Sequence, residues 1–345
     1  MQIPLKIAEP TPLQDRLQRP LRELRISVID RCNFRCTYCM PADSLQGRGV
    51  FLPLVKLLTD HEIEDLVSAF VDLGVRKLRI TGGEPLVRPG LPGLVQALAA
   101  IPKLTDIALT TNGVILPRLA DDLAAAGLGR ITVSLDTLDE AILDHMSGGK
   151  ARLSQILDGI SAAESAGFTN IKINTVVQRG VNDHTIMDLL DHFRGSGHSV
   201  RLIEFMDVGN CNHWNLTEVV PSAEWIEKIN AKWPIRPVQR RSAAETAQRY
   251  EYVDGQGEIG LISSISKPFC GGCTRARITA DGIFYTCLFA NKGTNLMPLI
   301  RHKQDRGDLS ERIRSVWERR EDRYSEERGQ PGHEGKKVEM YRMGG

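Results

Sequence analysis

Six short runs rich in β-branched residues recur along the first part of the chain, and amphipathic, helix-type stretches separate most of them. Runs of this length that alternate with helical segments predict parallel βαβ units. The runs are LRISVID (24–30), KLRIT (77–81), DIALTT (106–111), RITVSLD (130–136), NIKINTVV (170–177) and VRLIEFM (200–206). Six consecutive units favour an open, incomplete TIM-like β/α barrel over a closed eight-stranded one, and chemistry is expected at the carboxyl ends of the strands.

The pattern changes after about residue 207. The segments 250–262 and 276–287 each carry an Asp-Gly pair between β-type runs, which predicts hairpins. A highly charged stretch, 308–328, follows and is interpreted as a solvated helix face without a function. We therefore predict an α/β protein: a partial barrel of about six units over residues 1–206, and a C-terminal extension of β-hairpins and helices over residues 207–345.

The overall charge argues against some classes of partner. The formal net charge is +1, so no bulk attraction to nucleic acid or to a membrane surface is expected. The first twenty residues hold no apolar core of signal-peptide length, and no apolar run approaches the length of a membrane span. We expect a cytoplasmic protein in which any site for a polyanion is a local cluster of cations.

The first of two cysteine clusters lies in the loop after the first predicted strand. Cys32, Cys36 and Cys39 have a C-x3-C-x2-C spacing, and the chain has seven cysteines in all. Close spacing and an odd total favour metal ligation over disulfides. Thiolates suit zinc or an iron–sulfur cluster. Zinc with a remote fourth ligand is one interpretation; the other is a four-iron cluster with one iron left open for a reactive ligand.

The second cluster is C-terminal. Cys270 and Cys273 form a C-x2-C pair, and Cys287 follows across the predicted hairpin. A two-residue Asp-Gly turn would pair Ala280 with Ile283 and place Cys287 opposite Ala276, near Cys273. With Cys211 as a fourth ligand, this set could hold zinc or an all-cysteine electron-relay cluster. The spacing alone excludes neither.

Cations alternate with apolar residues in several predicted strands. Because strand side chains alternate between faces, the cations oppose neighbours that pack on the outer helices and so point into the barrel. These residues are Arg25, Lys77, Arg79, Lys172 and Arg201, with Arg275 and Arg277 two residues apart in the C-terminal region. Buried unpaired charges are costly, so the set requires either a polyanionic ligand or internal acids such as Glu84 and Asp136. No P-loop is present.

The first cluster resembles that of the radical S-adenosylmethionine (SAM) enzymes. Their C-x3-C-x2-C signature is met by Cys32, Cys36 and Cys39, with Tyr38 at the usual aromatic position. The GGEP stretch after the second strand is similar to the family's loop for the methionine part of SAM, so the resemblance assigns Gly83 and Glu84 to that loop. It implies a [4Fe–4S] cluster whose open iron is chelated by SAM.

Almost the whole chain resembles one branch of these enzymes, the GTP 3′,8-cyclase family of molybdenum cofactor biosynthesis. The matching stretches are LRISVIDRCNFRCTYCMP, RITGGEPLVR, TTNG, VSLD, RLIEFMDVGN, FCGGCTRARIT and the terminal GG. The resemblance implies a second [4Fe–4S] cluster on Cys270, Cys273 and Cys287 whose open iron binds the guanine of GTP. Cys211 is then an incidental thiol.

The resemblance also implies the site residues and the reaction. A radical derived from SAM takes the 3′ hydrogen of GTP, and the ribose carbon then closes on C8 of guanine to give (8S)-3′,8-cyclo-7,8-dihydro-GTP. Further SAM contacts correspond to Ser134 and Met206, and the terminal Gly344 and Gly345 reach into the active site as catalytic residues. The GTP-binding positions correspond to Arg25, Lys77, Arg79, Thr110, Lys172, Arg201, Arg275 and Arg277.

The implied partners are small molecules and two proteins. They comprise GTP, SAM, a reduced flavodoxin- or ferredoxin-type electron donor, and the downstream cyclic pyranopterin monophosphate synthase, and the resemblance allows for a homodimer. Two other classes of protein stay open. Another radical SAM enzyme with an auxiliary cluster, such as a peptide modifier, would not need the inward cations, and a non-catalytic zinc-binding protein would not need SAM.

Overall fold

The computed structural model describes residues 12–42, 51–301, 306–328 and 337–344, which form one twelve-stranded sheet with helices on its outer face. The strands are β1 (Glu23–Ser27), β2 (Lys77–Thr81), β3 (Asp106–Thr111), β4 (Arg130–Ser134), β5 (Lys172–Val177), β6 (Ser199–Glu204), β7 (Ile235–Pro237), β8 (Gln248–Tyr252), β9 (Glu258–Ile262), β10 (Arg275–Ile278), β11 (Ile283–Tyr285) and β12 (Thr294–Asn295). The helices are α1 (Asp60–Asp72), α2 (Leu91–Ala99), α3 (Leu116–Ala125), α4 (Glu140–Met146), α5 (Leu153–Ser165), α6 (Ile186–Phe193), α7 (Ser222–Lys232), α8 (Met297–Arg301), α9 (Arg306–Glu318), α10 (Tyr324–Glu327) and α11 (Met340–Met343).

The strand order explains how the C-terminal region joins the barrel. Strands β1 to β6 lie side by side in chain order and are parallel. Strand β10 adds in parallel beside β1, and β9 adds in parallel beside β6. Antiparallel strands β11–β12 and β8–β7 then complete the two edges, so the sheet curves without closing. The predicted partial six-unit barrel with a C-terminal extension is confirmed.

Helix α1 shows how local sequence sets these elements. Thr59 is its N-cap: the Thr59 hydroxyl accepts from the Glu62 amide, and the Glu62 carboxylate accepts from the Thr59 amide, a capping box. Gly74, at φ +118°, follows the helix end. Ile63 and Leu66 on its inner face are fully buried in the core beneath the sheet. None of the helices within the described ranges has the length and apolar character needed to cross a membrane.

Alternation along the strands separates the core from the site. In β1, Leu24 and Ile26 are fully buried in the apolar core, whereas Arg25 between them lines a cavity on the concave face. In β2, Ile80 is likewise buried in the core and Arg79 lines the cavity. The period of two therefore sends apolar side chains toward the helices and cations into the barrel.

The hairpin that carries Cys287 has a different register from the one predicted. Arg277 pairs with Tyr285, so Thr279 faces Ile283 across a three-residue loop, 280–282. The Ile283 amide donates to the Thr279 hydroxyl at 3.0 Å, and Gly282 has φ +76°, which a three-residue hairpin loop with a glycine bulge requires. The prediction of an Ala280–Ile283 pair was wrong by one residue, and in this register Cys287 lies level with Arg275.

The charged stretch 308–328 has the solvated helix face that was predicted and also a buried apolar face that the sequence analysis did not identify. In α9, Leu309, Ile313 and Trp317 are buried in the core. Arg320, just beyond the helix, is only 4% exposed. Along α9, apolar residues recur every three to four positions among the charged ones, and these apolar residues pack the helix against the barrel.

Candidate active site

A cavity of about 1070 Å³, part of it open to solvent, lies on the concave face of the sheet. Strands β1, β2, β3, β5, β6, β9 and β10 all contribute side chains to its wall. Ten of the predicted site residues meet here: Arg25, Arg79, Thr110, Arg201, Met206, Cys270, Cys273, Arg275, Arg277 and Cys287. One cavity therefore brings together the second cysteine cluster and five of the seven predicted inward cations.

Among the strand residues predicted to contact GTP or SAM, three lie outside this wall. Lys77 begins β2 and is exposed, and Ser134 ends β4 and is half-buried. Lys172 begins β5 and is half-buried. Burial, together with the nearby Arg201, lowers the pKa of Lys172 to about 7. Lys172 thus belongs to the same positive region without lining the cavity.

A half-buried acid, Glu23, lies beside the cations of the cavity wall. Arg25 Nε donates to Glu23 Oε1 at 3.0 Å, an ion pair between two side chains of the same strand face. Burial raises the pKa of Glu23, but the charges of Arg25, Arg79 and Arg275 outweigh burial and hold this pKa at about 2. Glu23 therefore offsets part of this positive charge, a role that the sequence analysis had offered to Glu84 and Asp136.

The remaining positive charge is poorly compensated. Burial and the neighbouring Arg25 lower the pKa of Arg79 to about 9, and burial with nearby arginines lowers that of Arg201 to about 10. Burial and Arg25 also push the pKa of Arg277 well below its ordinary value. These shifts reflect like charges held together away from water, an arrangement that an anionic ligand would stabilise.

Arg79 and Asn174 on the wall each have a buried polar atom without a hydrogen-bond partner among the described residues. Arg79 donates through Nη1 to the hydroxyl groups of Thr110 at 3.1 Å and Thr132 at 3.4 Å, but its Nε is unsatisfied. Asn174 Oδ1 is also buried without a partner. Because buried polar groups are almost always hydrogen-bonded, the two atoms indicate a polar ligand in this cavity.

The first thiol triad, Cys32, Cys36 and Cys39, occupies the loop after β1. The Phe34 amide donates to Cys32 Sγ at 3.3 Å. Burial raises the pKa of Cys32 to about 11, and burial together with the Cys39 thiol raises that of Cys36 well above its ordinary value. Tyr38 packs in the same cluster as Cys39 and donates its hydroxyl to Asp136 at 2.8 Å.

Main-chain hydrogen bonds hold the GGEP stretch against this loop. The Gly83 amide donates to the Ile29 carbonyl and the Glu84 amide to the Arg31 carbonyl, both at 2.7 Å. A Cβ on Gly83 would overlap the Arg31 carbonyl, so only glycine allows this approach. Glu84 is buried, accepts from Thr111 Oγ1 at 2.7 Å, and burial raises its pKa to about 7. Glu84 therefore joins the ends of β2 and β3.

The second thiol triad, Cys270, Cys273 and Cys287, has a different setting. Arg275 donates to Cys273 Sγ through Nε at 3.4 Å and through Nη2 at 3.3 Å. Burial raises the pKa of Cys273, but Arg275 and Arg320 outweigh it and lower this pKa to about 6. Burial raises the pKa of Cys287 to about 12. Arginines thus favour a thiolate at Cys273.

Cys211 lies beside the first triad rather than the second. Its Sγ is 3.8 Å from the Cys39 carbonyl oxygen and 3.0 Å from Glu339 Oε2. The interpretation in which Cys211 completes four ligands with the C-terminal cysteines is therefore wrong.

The C-terminal segment enters the site. Arg277 Nη1 donates to the carbonyls of Met343 at 2.9 Å and Gly344 at 3.0 Å. Gly344 has φ +64°, and a Cβ there would overlap Thr81 Oγ1, so a side chain is excluded. Gly345 lies outside the described residues. Arg277, predicted as a GTP contact, binds this segment.

The loop after β6 anchors the same segment. Asp207 accepts from Tyr324 at 2.6 Å, from Arg328 at 3.0 Å and from Lys337 Nζ at 2.7 Å. The Asn210 side chain donates through Nδ2 to the Lys337 carbonyl at 2.6 Å, and Asn210 Oδ1 accepts from the Lys337 amide at 2.9 Å. These contacts join residues that are 117 to 130 positions apart in the sequence, and they place α11 beside Arg277.

Comparison with known proteins now bears on these features. The profile of the Radical SAM superfamily matches residues 26–193, and that of Molybdenum Cofactor Synthesis C matches residues 198–326. A GTP 3′,8-cyclase of Xanthomonas campestris pv. campestris (strain B100) is 52% identical over 334 residues, which cover 97% of this chain and 98% of that protein. One from Acidothermus cellulolyticus is 50% identical over 91% of this chain and 88% of that protein. The chain belongs to the GTP 3′,8-cyclase family.

A solved structure supports the fold of this family member. The crystal structure of Streptococcus suis SuiB bound to S-adenosylmethionine superposes with a TM-score of 0.59 over 86% of this chain and 68% of that one. The two sequences are 16% identical, so the likeness concerns the radical SAM fold alone.

Radical SAM membership implies SAM and [4Fe–4S] clusters, and the donor sets fit. In the ranges that the structure describes, no three thiol, acid or imidazole groups already converge as they do around a bound ion. Each triad nevertheless supplies three soft sulfur donors and an N–H···S hydrogen bond, from Phe34 to Cys32 and from Arg275 to Cys273. Such donors and bonds are those that hold and tune iron–sulfur clusters.

Sequence reasoning missed several residues of this family member's site. Glu23 lies two residues before Arg25, and Asn174 two after Lys172, so strand parity could have found both. Arg320 also lines the cavity. No local sequence signal distinguishes Arg320 from the charged residues around it, because its role depends on contacts with residues that are distant in the sequence.

Proposed function

We propose that this protein is a radical SAM lyase that converts GTP to (8S)-3′,8-cyclo-7,8-dihydro-GTP, the first step of molybdenum cofactor biosynthesis. The observation that carries the proposal is the cavity beside the second thiol triad, whose wall holds six arginines and one acid, Asp322. When bound, the clusters and SAM supply the radical chemistry. The residues of the chain bind and orient GTP and SAM, and they exclude water from the site.

The SAM side of the site would be built on the first triad, with Cys32, Cys36 and Cys39 as cluster ligands. Gly83 and Glu84 hold the GGEP main chain against the cysteine loop, and this rigidity would position the methionine part of SAM. Tyr38, Ser134 and Met206 stay predicted SAM contacts. Met206 is the one of the three that lines the cavity.

The GTP side would use the second triad and the arginines. Cys270, Cys273 and Cys287 would hold the second cluster at the guanine end, and the cations would bind the triphosphate. Arginine suits phosphate because its planar fork donates two hydrogen bonds. The wall offers Arg25, Arg79, Arg201, Arg275 and Arg277 for this purpose, with Thr110 supporting Arg79. Lys77 and Lys172 are assigned to GTP on the family resemblance.

The C-terminal segment would close the site over the substrate. Arg277 holds the carbonyls of Met343 and Gly344, so the last residues approach the reacting region without side chains. We assign Gly344 and Gly345 to catalysis on this basis and on the family resemblance. Keeping water from the reactive site is the role that such a closed segment can perform.

The partners and the division of the chain also belong to the proposal. A reduced flavodoxin- or ferredoxin-type donor would supply electrons, cyclic pyranopterin monophosphate synthase would take the product, and the protein would work in the cytoplasm, with a homodimer as one assembly to test. The split into 1–206 and 207–345 stays a prediction.

The test is an anaerobic assay of the reconstituted protein with GTP, SAM and a reductant. We expect both 5′-deoxyadenosine and a cyclised GTP product, identified by mass spectrometry, and neither from a Cys36→Ala variant. Formation of 5′-deoxyadenosine without any cyclised nucleotide in the parent protein would reject the proposed substrate. Absence of both would reject the radical SAM assignment.

A further inference from the structure

We propose that Asp15, Arg19 and Arg320 form a buried clamp that positions the second thiol triad through main-chain carbonyls. The inference rests on the proposed second cluster. These three residues lie at opposite ends of the chain and touch none of the predicted ligands through sulfur. They are positioning residues, and their contacts lie at all three cysteine-bearing segments.

The contacts follow a single pattern. Arg19 Nη1 donates to the Cys270 carbonyl at 2.9 Å, and Arg320 Nη1 donates to the Cys273 carbonyl at 2.9 Å. Arg320 Nε donates to the carbonyl of Thr286, the residue before Cys287, at 3.1 Å. Every cysteine of the triad therefore has a main-chain oxygen, its own or its neighbour's, held by one of two arginines.

Asp15 joins the two arginines. Its Oδ2 accepts from Arg19 Nε at 2.6 Å and from Arg320 Nη1 at 3.0 Å. The side chains of Asp15, Arg19 and Arg320 are 0%, 2% and 1% exposed. At such burial an ion pair costs desolvation, so geometry rather than net stability is the better explanation for keeping three charges here.

The planar fork of Arg320 is suited to this purpose. Through two different nitrogens it bridges Cys273, before β10, and Thr286, after β11, so it fixes the distance across the hairpin between two of the three thiols. Lysine would keep the charge but could not span both carbonyls in one plane. Arg320→Lys thus separates positioning from charge.

The clamp holds one acid for each arginine. Two guanidinium groups share the Asp15 carboxylate, and Asp322, whose side chain is 31% exposed, lies 3.4 Å from Arg320 as a second acid. The contribution of the clamp to the triad is therefore the placement of the main-chain carbonyls.

The experiment uses the full chain with the first triad removed (Cys32→Ala, Cys36→Ala, Cys39→Ala), so that only the second cluster is present. After anaerobic reconstitution, iron content, the electron paramagnetic resonance signal of the reduced cluster, and the rate of iron release to a chelator are measured. We expect Arg320→Lys and Asp15→Asn to release iron about 10–100-fold faster, the range for residues that support metal ligands. They should also alter the resonance signal.

The matched control is Arg319→Lys. Arg319 is exposed and donates only within its own helical turn, to the Ser315 carbonyl and hydroxyl. This variant should release iron at the parent rate. Circular dichroism and thermal unfolding check that each variant is folded, and Arg19→Lys, which alters the contact at Cys270, provides a further variant if Arg320→Lys does not fold.

Folded clamp variants that keep the parent release rate and signal would overturn the inference, even if their thermal midpoints fall, because that result describes a purely structural ion pair. A parent that binds no iron at the second triad would overturn both this inference and the proposed cofactor. A parent that binds the cluster but forms no cyclised GTP would reject only the proposed function.

Discussion

Each of the two thiol triads has three cysteines, but acids lie near the first triad and arginines lie near the second. Near the first, burial, with a contribution from the Glu84 carboxylate, raises the pKa of Cys32 to about 11, and Asp136 acts in the same direction on Cys36. Near the second, Arg275 and Arg320 lower the pKa of Cys273 to about 6. An acid-lined site suits the sulfonium cation of SAM, whereas an arginine-lined site suits the phosphates of GTP.

The largest expected effect comes from deleting one thiol of each triad. Cys36→Ala should reduce 5′-deoxyadenosine formation to the background of a protein-free reaction, because the first cluster is lost. Cys273→Ala should still form 5′-deoxyadenosine but no cyclised GTP. Chromatography of both products measures this, and equal loss of both activities in the two variants would contradict a division of labour between the triads.

The next effect concerns the arginines around the second triad. Arg275→Ala and Arg277→Ala should each raise the Kd of GTP about 30-fold or more, because removing a desolvated charged partner costs about 2–5 kcal/mol. SAM affinity should not change. Calorimetric titration with each ligand measures both constants, with Arg236→Ala, an exposed residue paired with Glu251, as control. Unchanged GTP affinity in both variants would remove the arginines from the substrate site.

A smaller effect is expected where the C-terminal segment connects the two regions. Burial raises the pKa of Asp207, but hydrogen bonds from Lys337, Tyr324 and Arg328 outweigh it and the net shift is downward. The contact therefore stabilises the docked segment above the ordinary pKa of an aspartate and is lost as the pH falls through the lowered pKa. Asp207→Asn should reduce kcat about 10-fold, since a charged hydrogen bond contributes about 1.5–3 kcal/mol.

The measurement for Asp207 is hydrogen exchange of residues 337–344 alongside kcat. Exchange should rise in Asp207→Asn and fall back in Asp207→Glu, which keeps a carboxylate for Lys337 and Arg328. Asp121→Asn, on the exposed face of α3, is the control. Unaltered exchange in Asp207→Asn would show that the segment docks without this carboxylate.

The smallest effect is a difference in thiol reactivity in the protein without clusters. Because the pKa of Cys273 is lowered to about 6 and that of Cys32 is raised to about 11, Cys273 is the thiolate near neutral pH. Brief treatment with iodoacetamide at about pH 7 should label Cys273 before Cys32, as read by peptide mass spectrometry. Faster labelling of Cys32 would reverse the proposed electrostatic contrast.

The sequence predicted the parts of this molecule that depend on local periodicity. Alternation in β1 and β2 placed Arg25 and Arg79 in the barrel, and the six strand runs indicated its open form. The hairpin register was missed because the Thr279 hydroxyl, rather than the Asp-Gly pair alone, determines the loop length. Asp207 and Arg320 were missed because their partners lie more than a hundred residues away, or at the other end of the chain.

The central claim is that each triad serves a different ligand. The most direct test is electron paramagnetic resonance of two reduced proteins, each of which keeps one triad and so one cluster. One protein carries Cys270→Ala, Cys273→Ala and Cys287→Ala, and the other carries Cys32→Ala, Cys36→Ala and Cys39→Ala. We predict that SAM alters the signal of the first protein alone and GTP that of the second alone. A GTP-dependent change at the first triad, or none at the second, would contradict the assignment.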